Sequence, residues 1–220
     1  MDLRESVRES AARIRSSIVA DQVTPDLFRS ALARIPRTAR DAWLDLVFET
    51  DAIPEDGPAL PQGCVPYLPC GVDVLLRMIE EADIRSGDVF VDVGAGLGRA
   101  AVVTHLLTGA AAIGVEIQPH LVRAARDLAA RLNVSRLSVV QGDATQLTGF
   151  LTIGSVFFLN CPFSGERLEK VLDDLEPIAR TRPIRVCCVY LPLPPRPWLA
   201  PLSPATGDLV VYRSTLLDAG

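Results

Sequence analysis

The spacing of apolar residues predicts helices over residues 2–50. Apolar side chains recur every three to four positions in successive segments, which is the period of an amphipathic helix. The stripes contain Val7, Ala11, Ile14, Ile18, Leu27, Phe28, Leu32, Ile35, Ala42, Leu44, Val47 and Phe48. Thr24-Pro25-Asp26 has the order of an N-cap, a proline at the first helical position and an acid in the first turn, so we expect a helix to begin there.

A stretch rich in proline and glycine interrupts this pattern. It contains Pro54, Gly57, Pro58, Pro61, Gly63, Pro66 and Pro69. Proline and glycine at this density exclude a regular helix. We therefore expect a helical N-terminal appendage over residues 1–53, a Pro-rich loop or lid over 54–70 and one further domain over 71–220.

From residue 71 onward, helical and strand patterns alternate. The predicted helices are Val72–Ala82, Leu97–Leu107, Pro119–Leu132 and Glu166–Arg180, and the predicted strands are Val89–Val93, Ala112–Glu116, Leu137–Gln141, Val156–Asn160, Ile184–Leu191 and Asp208–Arg213. Alternation with continuously apolar strands predicts an α/β fold whose mainly parallel sheet is covered on both faces. In such sheets ligands bind beyond the carboxyl ends of the strands, so residues that follow strands are the site candidates. The segment Leu191–Pro204 is too rich in proline for a crossover helix.

Composition narrows the function classes. The formal charge of −5 argues against a general nucleic-acid binder, which usually carries a basic domain. The five cysteines have no CxxC or Cys/His spacing, which favours free thiols in the cytoplasm and gives no metal site. No apolar run has the length of about 18 residues that spans a membrane, and the N-terminus lacks a signal-peptide core. Lys170 is the single lysine beside many arginines, which is typical of a GC-rich bacterial genome.

A glycine pattern follows the first predicted strand. Asp92 is followed by Gly94, Ala95, Gly96 and Gly98, so the pattern is GxGxG rather than the GxGxxG of dinucleotide sites. Glycines here let the backbone turn sharply and approach a ligand closely, and the aspartate can accept hydrogen bonds from loop amides or a ligand amine. The alternative is a strand–helix turn that holds no ligand.

Acids follow the next two predicted strands. Glu116, with Ile117 after it, ends the second strand at the place where an acid binds the two hydroxyls of a ribose. Asp143, with Ala144 after it, follows the third strand, where it can accept from the exocyclic amine of an adenine. The alternatives are a helix-start acid favoured by the helix dipole for Glu116 and an N-cap for Asp143.

The fourth predicted strand ends in Asn160-Cys161-Pro162-Phe163. A carbonyl acceptor on Asn160 beside an aromatic wall suits an amine nucleophile, because it orients the N–H groups while the lone pair faces an electrophilic carbon. We interpret Cys161 as a small hydrophobic residue. The alternative is a strand-ending turn stabilised by asparagine and proline.

These four features follow four successive strands in the order that one adenosyl ligand needs. Over residues 66–190 the sequence resembles the class I, seven-strand, Rossmann-like methyltransferases that depend on S-adenosylmethionine (SAM). The resemblance implies a seven-strand sheet, SAM as cofactor and S-adenosylhomocysteine as its product. The cofactor-binding residues it implies are Asp92, Gly94, Ala95, Gly96, Gly98, Glu116, Ile117, Asp143, Ala144 and Asn160.

A narrower resemblance concerns the acceptor. The stretch Pro66-Tyr67-Leu68-Pro69 and the FFLNCPF segment are similar to the seven-strand protein-lysine methyltransferases of the non-SET histone type and their mitochondrial relatives. That group implies Asn160, Phe163 and Tyr67 as catalytic residues at a lysine channel. The sequence departs from the group at Cys70, where relatives often have Thr or Ser, and at Cys161, where the histone enzymes have a second Asn.

We therefore expect methyl transfer to an acceptor nitrogen, either a protein lysine or another amine. The N-terminal helices are expected to add a substrate wall or to form a homodimer. One alternative is an N- or O-methyltransferase of a small secondary metabolite. Another is a SAM-binding interaction module without catalysis.

Overall fold

The computed structural model describes residues 3–50, 54–57, 60–202 and 207–215. The expected domain boundary at residue 53, Pro58 of the lid and Pro204 lie outside these ranges. The helices are α1 Leu3–Val19, α2 Pro25–Ala33, α3 Arg40–Phe48, α4 Val72–Glu81, α5 Arg99–Thr108, α6 Pro119–Arg131, α7 Ala144–Leu147 and α8 Glu166–Thr181. The strands are β1 Val89–Val93, β2 Ala111–Glu116, β3 Leu137–Gln141, β4 Val156–Asn160, β5 Arg185–Val189, β6 Leu199–Pro201 and β7 Leu209–Ser214.

The strands form one seven-stranded sheet in the order β3-β2-β1-β4-β5-β7-β6. Strands β1 to β5 are parallel, and β7 runs antiparallel to both β5 and β6. Because the parallel strands point the same way, the turns after β1, β2, β3 and β4 meet at one edge. The predicted α/β fold with a mainly parallel seven-strand sheet is confirmed.

Alternate side chains of the central strands β1 and β4 enter two different cores. Phe90 and Phe158 stack on one face with ring centroids 5.7 Å apart, and this face also buries the N-terminal helices and α4 and α5. Val91 and Phe157 enter the other core with α8. The N-terminal helices thus share a core with the sheet instead of standing apart from it.

Helix α2 begins as the sequence predicts. The Thr24 side chain accepts a hydrogen bond from the Leu27 amide, and Pro25 occupies the first turn. Helix α3 is fixed to the start of α5 by Arg99, a nearly buried guanidinium that donates to Asp41 and Asp45. The N-terminal helices are therefore attached next to the glycine turn.

The segment after β5 contains no helix across its described part, residues 190–202, as its prolines predict. Instead Trp198 is buried and is followed by the short strand β6, which the sequence pattern missed. Three residues that end in a proline are too short to show a strand period, so only pairing with β7 defines this strand. No helix in the described ranges has both the length and the apolar character to span a membrane.

Candidate functional site

The turns after the first four strands surround one narrow cleft of about 60 Å³. The predicted site residues that line it are Tyr67, Gly94, Glu116, Ile117, Asp143, Ala144, Asn160 and Phe163. Asp92 lies in β1, and Ala95, Gly96 and Gly98 belong to the turn that follows it, of which Gly94 lines the cleft. The residues that the sequence selected at separate strand ends therefore lie together.

The turn after β1 has the geometry that only glycine accommodates. Gly94 and Gly96 have φ of 85° and 54°, in the left-handed region. A Cβ on Gly94 would lie 2.6 Å from Cβ of Pro162, and one on Gly96 would lie 2.0 Å from Cε2 of Tyr67. A side chain on either glycine would therefore displace Pro162 or Tyr67, which pack directly on the turn; Gly94 is exposed, whereas Gly96 and Gly98 are buried.

Glu116 fixes this turn from the neighbouring strand. Its carboxylate is buried and accepts hydrogen bonds from the amides of Gly96 and Gln118, each at 2.8 Å. Each carboxylate oxygen has more than one lone-pair direction, so both can accept a further hydroxyl. This is an arrangement that a ribose diol fits.

Asp92 lies beneath the turn with its Oδ2 atom buried and without a hydrogen-bond partner among the described residues. Burial, and secondly the nearby Glu116 carboxylate, raises the pKa of Asp92 to about 7. A buried carboxylate without full hydrogen bonding is costly unless a donor or a cation approaches it. A ligand that carries an amine and a positive charge, as SAM does, fits this unsatisfied acid and the glycine cradle.

Asp143 caps α7, so its N-cap role is observed. Its Oδ1 accepts from the Thr145 amide at 2.9 Å, and both oxygens accept from Arg167 at 3.0 Å. Burial opposes ionisation of Asp143, but the hydrogen bonds from Thr145 and Arg167 outweigh it and lower the pKa. The adenine role of Asp143 stays a prediction.

Asn160 ends β4 at the opposite wall of the cleft. Its Nδ2 donates to the backbone oxygen of Leu68 at 3.0 Å. Phe163 behind it is buried and pairs with Cys64, and the Val65 amide donates to the Pro162 oxygen. The segment after β4 is therefore held against the Pro-rich loop.

Tyr67 lies across the glycine turn and lines two cavities. Besides the cleft, its ring borders a second cavity of about 310 Å³, which Asp45, Phe48 and Arg99 also line. Burial raises the pKa of Tyr67 to about 12. Helix α3 thus contributes a wall to the second cavity and not to the cleft, and the expectation that the N-terminal helices add a substrate wall stays a prediction.

Two residues that line the cleft were not predicted from the sequence. Gln118 is buried and bridges to the lid, donating to Asp56 and accepting from the Gly57 amide, each at 2.7 Å. Arg167 pairs with Asp143 and donates to the Gln62 oxygen at 3.1 Å. Neither belongs to a recognisable pattern, although Gln118 stands just two positions after the predicted ribose acid.

The described residues were compared with the ligand clusters that hold metal ions. Within the described ranges, no three His, Cys, Asp or Glu side chains come together as metal ligands. His120 contacts the Glu55 oxygen through Nε2 at 3.0 Å, at the outer edge of the lid.

Comparison with known proteins agrees with this geometry. Residues 84–165 match the family model of a methyltransferase domain. No curated protein sequence matches the chain. The structure is similar to that of an RNA methyltransferase from Salinibacter ruber in complex with S-adenosyl-L-homocysteine, with 29% identity, a TM-score of 0.55, and coverage of 70% of this chain and 96% of that one.

A second similar structure is yhhF of Escherichia coli, which carries a provisional methyltransferase assignment. It has 19% identity and a TM-score of 0.55, over 72% of this chain and 92% of that one. At this identity the likeness extends to the fold alone. The chain thus combines a methyltransferase-domain match with the sheet of these methyltransferase structures, and its cleft has an unsatisfied acid and a glycine turn that SAM fits.

Proposed function

We propose that this SAM-dependent methyltransferase transfers its methyl group to an amine nitrogen, with the ε-amine of a protein lysine as the first acceptor to test. The observation that carries the proposal is the amide of Asn160. Its Nδ2 is occupied by the Leu68 oxygen, so Oδ1 is the atom left to accept an N–H from an acceptor. An amine offers such an N–H and a lone pair on the same atom.

The cofactor would be held by the residues that surround the cleft. Glu116 would accept from the ribose hydroxyls, the Gly94–Gly98 turn would lie under the amino-acid part, and Asp143 with Ala144 would border the adenine. When bound, SAM supplies a methyl group that is already activated by the sulfonium charge.

Asn160 and its neighbours would then position the nucleophile. The asparagine oxygen would orient an N–H of the amine, which aligns the nitrogen lone pair for in-line attack. Pro162 packs where a Gly94 side chain would be, and Phe163 is buried behind it, so the wall that carries Asn160 is rigid. Tyr67 and the lid would exclude water from the cleft.

Neither histidine is placed to act as a base for the acceptor. Of the two histidines, His105 contacts the Ala110 oxygen and His120 the Glu55 oxygen, and neither lines the cleft. A lysine amine, with an ordinary pKa of about 10.4, would lose its proton to solvent before attack. The rate should therefore rise with pH through the neutral range.

Charge favours an amine over a nucleic acid. The chain carries −5, and three arginines near the site have acidic partners: Arg167 pairs with Asp143, Arg77 with Asp208, and Arg99 with Asp41 and Asp45. Paired guanidinium groups release few counterions on binding a polyanion. RNA stays the second acceptor to test, because the Salinibacter ruber relative is an RNA methyltransferase.

The test is methyl transfer from SAM with a labelled methyl group. The acceptors are an unstructured peptide with a single lysine, the same peptide acetylated on that lysine, a panel of small amines and alcohols, and bulk RNA. We expect label in the free lysine peptide alone, recovered as methyl-lysine after acid hydrolysis. Asn160→Ala should abolish most turnover, whereas the matched change Gln141→Ala, at the exposed end of β3, should not.

The other outcomes are equally decisive. Transfer to a small amine or alcohol, but not to the lysine peptide, would make the chain a small-molecule methyltransferase. Transfer to RNA would overturn the charge argument. Binding of S-adenosylhomocysteine with no turnover on any acceptor would favour a non-catalytic SAM-binding module.

A further inference from the structure

Two neighbouring strands leave the sheet through the same unusual backbone conformation. Cys161 follows Asn160 with φ of 46°, and Tyr190 follows Val189 with φ of 50°. Asn160 and Val189 are register partners in the β4–β5 pair, so the two left-handed residues stand side by side. Left-handed non-glycine residues are unfavourable and concentrate at functional sites.

Side-chain packing does not explain the left-handed backbone of Tyr190. Val189 before it is 1% exposed, whereas Tyr190 itself is 68% exposed. Its backbone is fixed, because the amide donates to the Asp208 oxygen at 2.8 Å and Asp208 is ion-paired with Arg77. The ring of Tyr190 is therefore held in solvent by a fixed backbone. The free-energy cost of the left-handed conformation is not offset by burial of the ring.

The lid residue that Asn160 contacts carries a second exposed apolar side chain. Leu68, whose backbone oxygen accepts from Asn160, is 66% exposed. The hydrogen-bond partner of the proposed acceptor-orienting amide thus has an exposed aliphatic side chain, and the neighbouring strand ends in an exposed aromatic ring.

Resting on the proposed function, we infer that Tyr190 is the specificity residue that receives the cationic acceptor before methyl transfer. The electron-rich face of a tyrosine ring attracts an ammonium group, and the attraction exceeds what an aliphatic side chain of similar area offers. Leu68 would contact the aliphatic stem of the same acceptor. The Asp208 carboxylate, at the base of the turn, keeps the Arg77 charge neutralised next to the ring.

Two substitutions distinguish the contribution of the aromatic ring from that of apolar surface area. Tyr190→Phe keeps the ring, and Tyr190→Leu keeps apolar area without it, while both retain a side chain in the same left-handed conformation. With the single-lysine peptide, Tyr190→Leu should raise KM for the peptide about three-fold, and Tyr190→Phe should leave it near the wild-type value. The affinity for S-adenosylhomocysteine should be unchanged in both variants.

Phe150 provides the matched control. It is 82% exposed and precedes the amino end of β4, away from the carboxyl edge of the sheet. Phe150→Leu removes another exposed ring and should change neither constant. If the peptide is methylated and Tyr190→Leu has the wild-type KM, the role of Tyr190 is overturned while the proposed function stands.

A binding measurement decides the case in which the peptide is not methylated. The chain has three tyrosines, so Tyr190→Phe identifies the Tyr190 ring signals in an NMR spectrum of the labelled protein. With S-adenosylhomocysteine present, N-acetyl-lysine methylamide should move these signals and its neutral norleucine analogue should not. A selective shift without turnover would support Tyr190 and reject the lysine acceptor, and no shift without turnover would reject both.

Discussion

The carboxylate of Glu116 accepts a hydrogen bond from the backbone amide of Gly96 at 2.8 Å, so the acid that ends β2 also holds the turn that follows β1. Its other oxygen accepts from the Gln118 amide, also at 2.8 Å. The residue predicted to bind ribose is therefore a structural clamp before any ligand arrives. The predicted ribose contact and the geometry of the turn therefore depend on the same side chain.

Glu116→Ala should weaken both stability and cofactor binding. Two buried amides would lose their acceptor, and each unsatisfied donor costs about 1–3 kcal/mol. In the wild type, S-adenosylhomocysteine at about 100 times its dissociation constant should add roughly 2.7 kcal/mol to the free energy of unfolding. Denaturant unfolding should show that the variant has a lower free energy of unfolding without the ligand. Adding the ligand should raise this free energy much less in the variant than in the wild type.

The control is Glu9→Ala, on the solvent face of α1, where a half-exposed side chain forms an i,i+4 pair with Arg13. It should change the free energy of unfolding by well under about 1 kcal/mol and leave the ligand effect intact. A full ligand effect in Glu116→Ala would remove this residue from the cofactor site.

Gly96→Ala tests the cradle directly. The new Cβ would lie 2.0 Å from Cε2 and 2.2 Å from Cδ2 of the Tyr67 ring, so the ring must move off the turn. We expect binding of S-adenosylhomocysteine to weaken at least ten-fold by calorimetry, because the floor of the cleft and its lid both change. The backbone strain of alanine at φ 54° adds to this effect.

Gly109→Ala separates strain from steric contact. Gly109 also has a left-handed φ, of 75°, but its nearest neighbour would be Cβ of Ser86 at 3.4 Å, which is ordinary contact. This variant should lose stability by about 1 kcal/mol and bind the ligand normally. Equal loss of binding in both variants would mean that strain, and not the Tyr67 contact, is responsible.

Asp92→Asn should change how stability depends on pH. The pKa of Asp92 is about 7 in the folded chain and has an ordinary value of 3.8, so between these values the folded state holds a proton that the unfolded state has lost. Stability therefore falls as pH rises through this window. The pKa difference of about 3 corresponds to a fall of about 4 kcal/mol in the free energy of unfolding.

The asparagine variant lacks this titration. The difference in unfolding free energy between variant and wild type should grow in favour of the variant from pH 4 to 7 and then level off. Chemical denaturation at several pH values measures it, and the subtraction removes carboxylates common to both proteins. A difference that is constant with pH would mean that Asp92 is ionised throughout.

Sequence periodicity predicted the parallel part of the sheet well. The bounds of β1, β3 and β4 agree with their predicted ranges, because each is a short apolar run closed by a turn or an acid. The candidate residues came together because the strand ends that carry them share one edge. That inference needs only the topology of a parallel sheet.

What the sequence did not reveal depends on contacts between distant residues. Arg167 lies 24 positions from Asp143, and nothing in the local pattern of α8 distinguishes it from a surface arginine. Strand β6 is similar, since its three residues acquire their structure from β7. The lid also shows this limit, because its prolines predicted a loop but not the Gln118 hydrogen bonds that hold it.

Arg99 is expected to couple the N-terminal helices to the catalytic domain. Its side chain is 9% exposed, whereas its partners Asp41 and Asp45 are 58% and 46% exposed. Arg99→Met keeps much of the volume but removes the pairing, and should cost about 1–3 kcal/mol in the free energy of unfolding, discounted for the exposure of the acids. A double-mutant cycle with Asp45→Asn should give a coupling energy above about 0.5 kcal/mol. Strict additivity would mean that packing alone joins α3 to α5.

Gln118 offers a way to release the lid while its backbone hydrogen bond to Glu116 is kept. Its amide group joins Asp56 and Gly57 to the start of α6, and Asp56 in turn accepts from the Tyr67 amide at 3.0 Å. Gln118→Ala removes both lid bonds but keeps the backbone amide that donates to Glu116. We expect S-adenosylhomocysteine to dissociate several-fold faster, measured by stopped-flow displacement, because a lid held by fewer bonds opens more often.

The association rate should change much less in this variant, since an open lid does not obstruct entry. Gln22→Ala, which changes an exposed glutamine after α1, should alter neither rate. A normal dissociation rate in Gln118→Ala would mean that the contacts of the lid with the segment after β4, Val65 with Pro162 and Leu68 with Asn160, are sufficient to keep it closed.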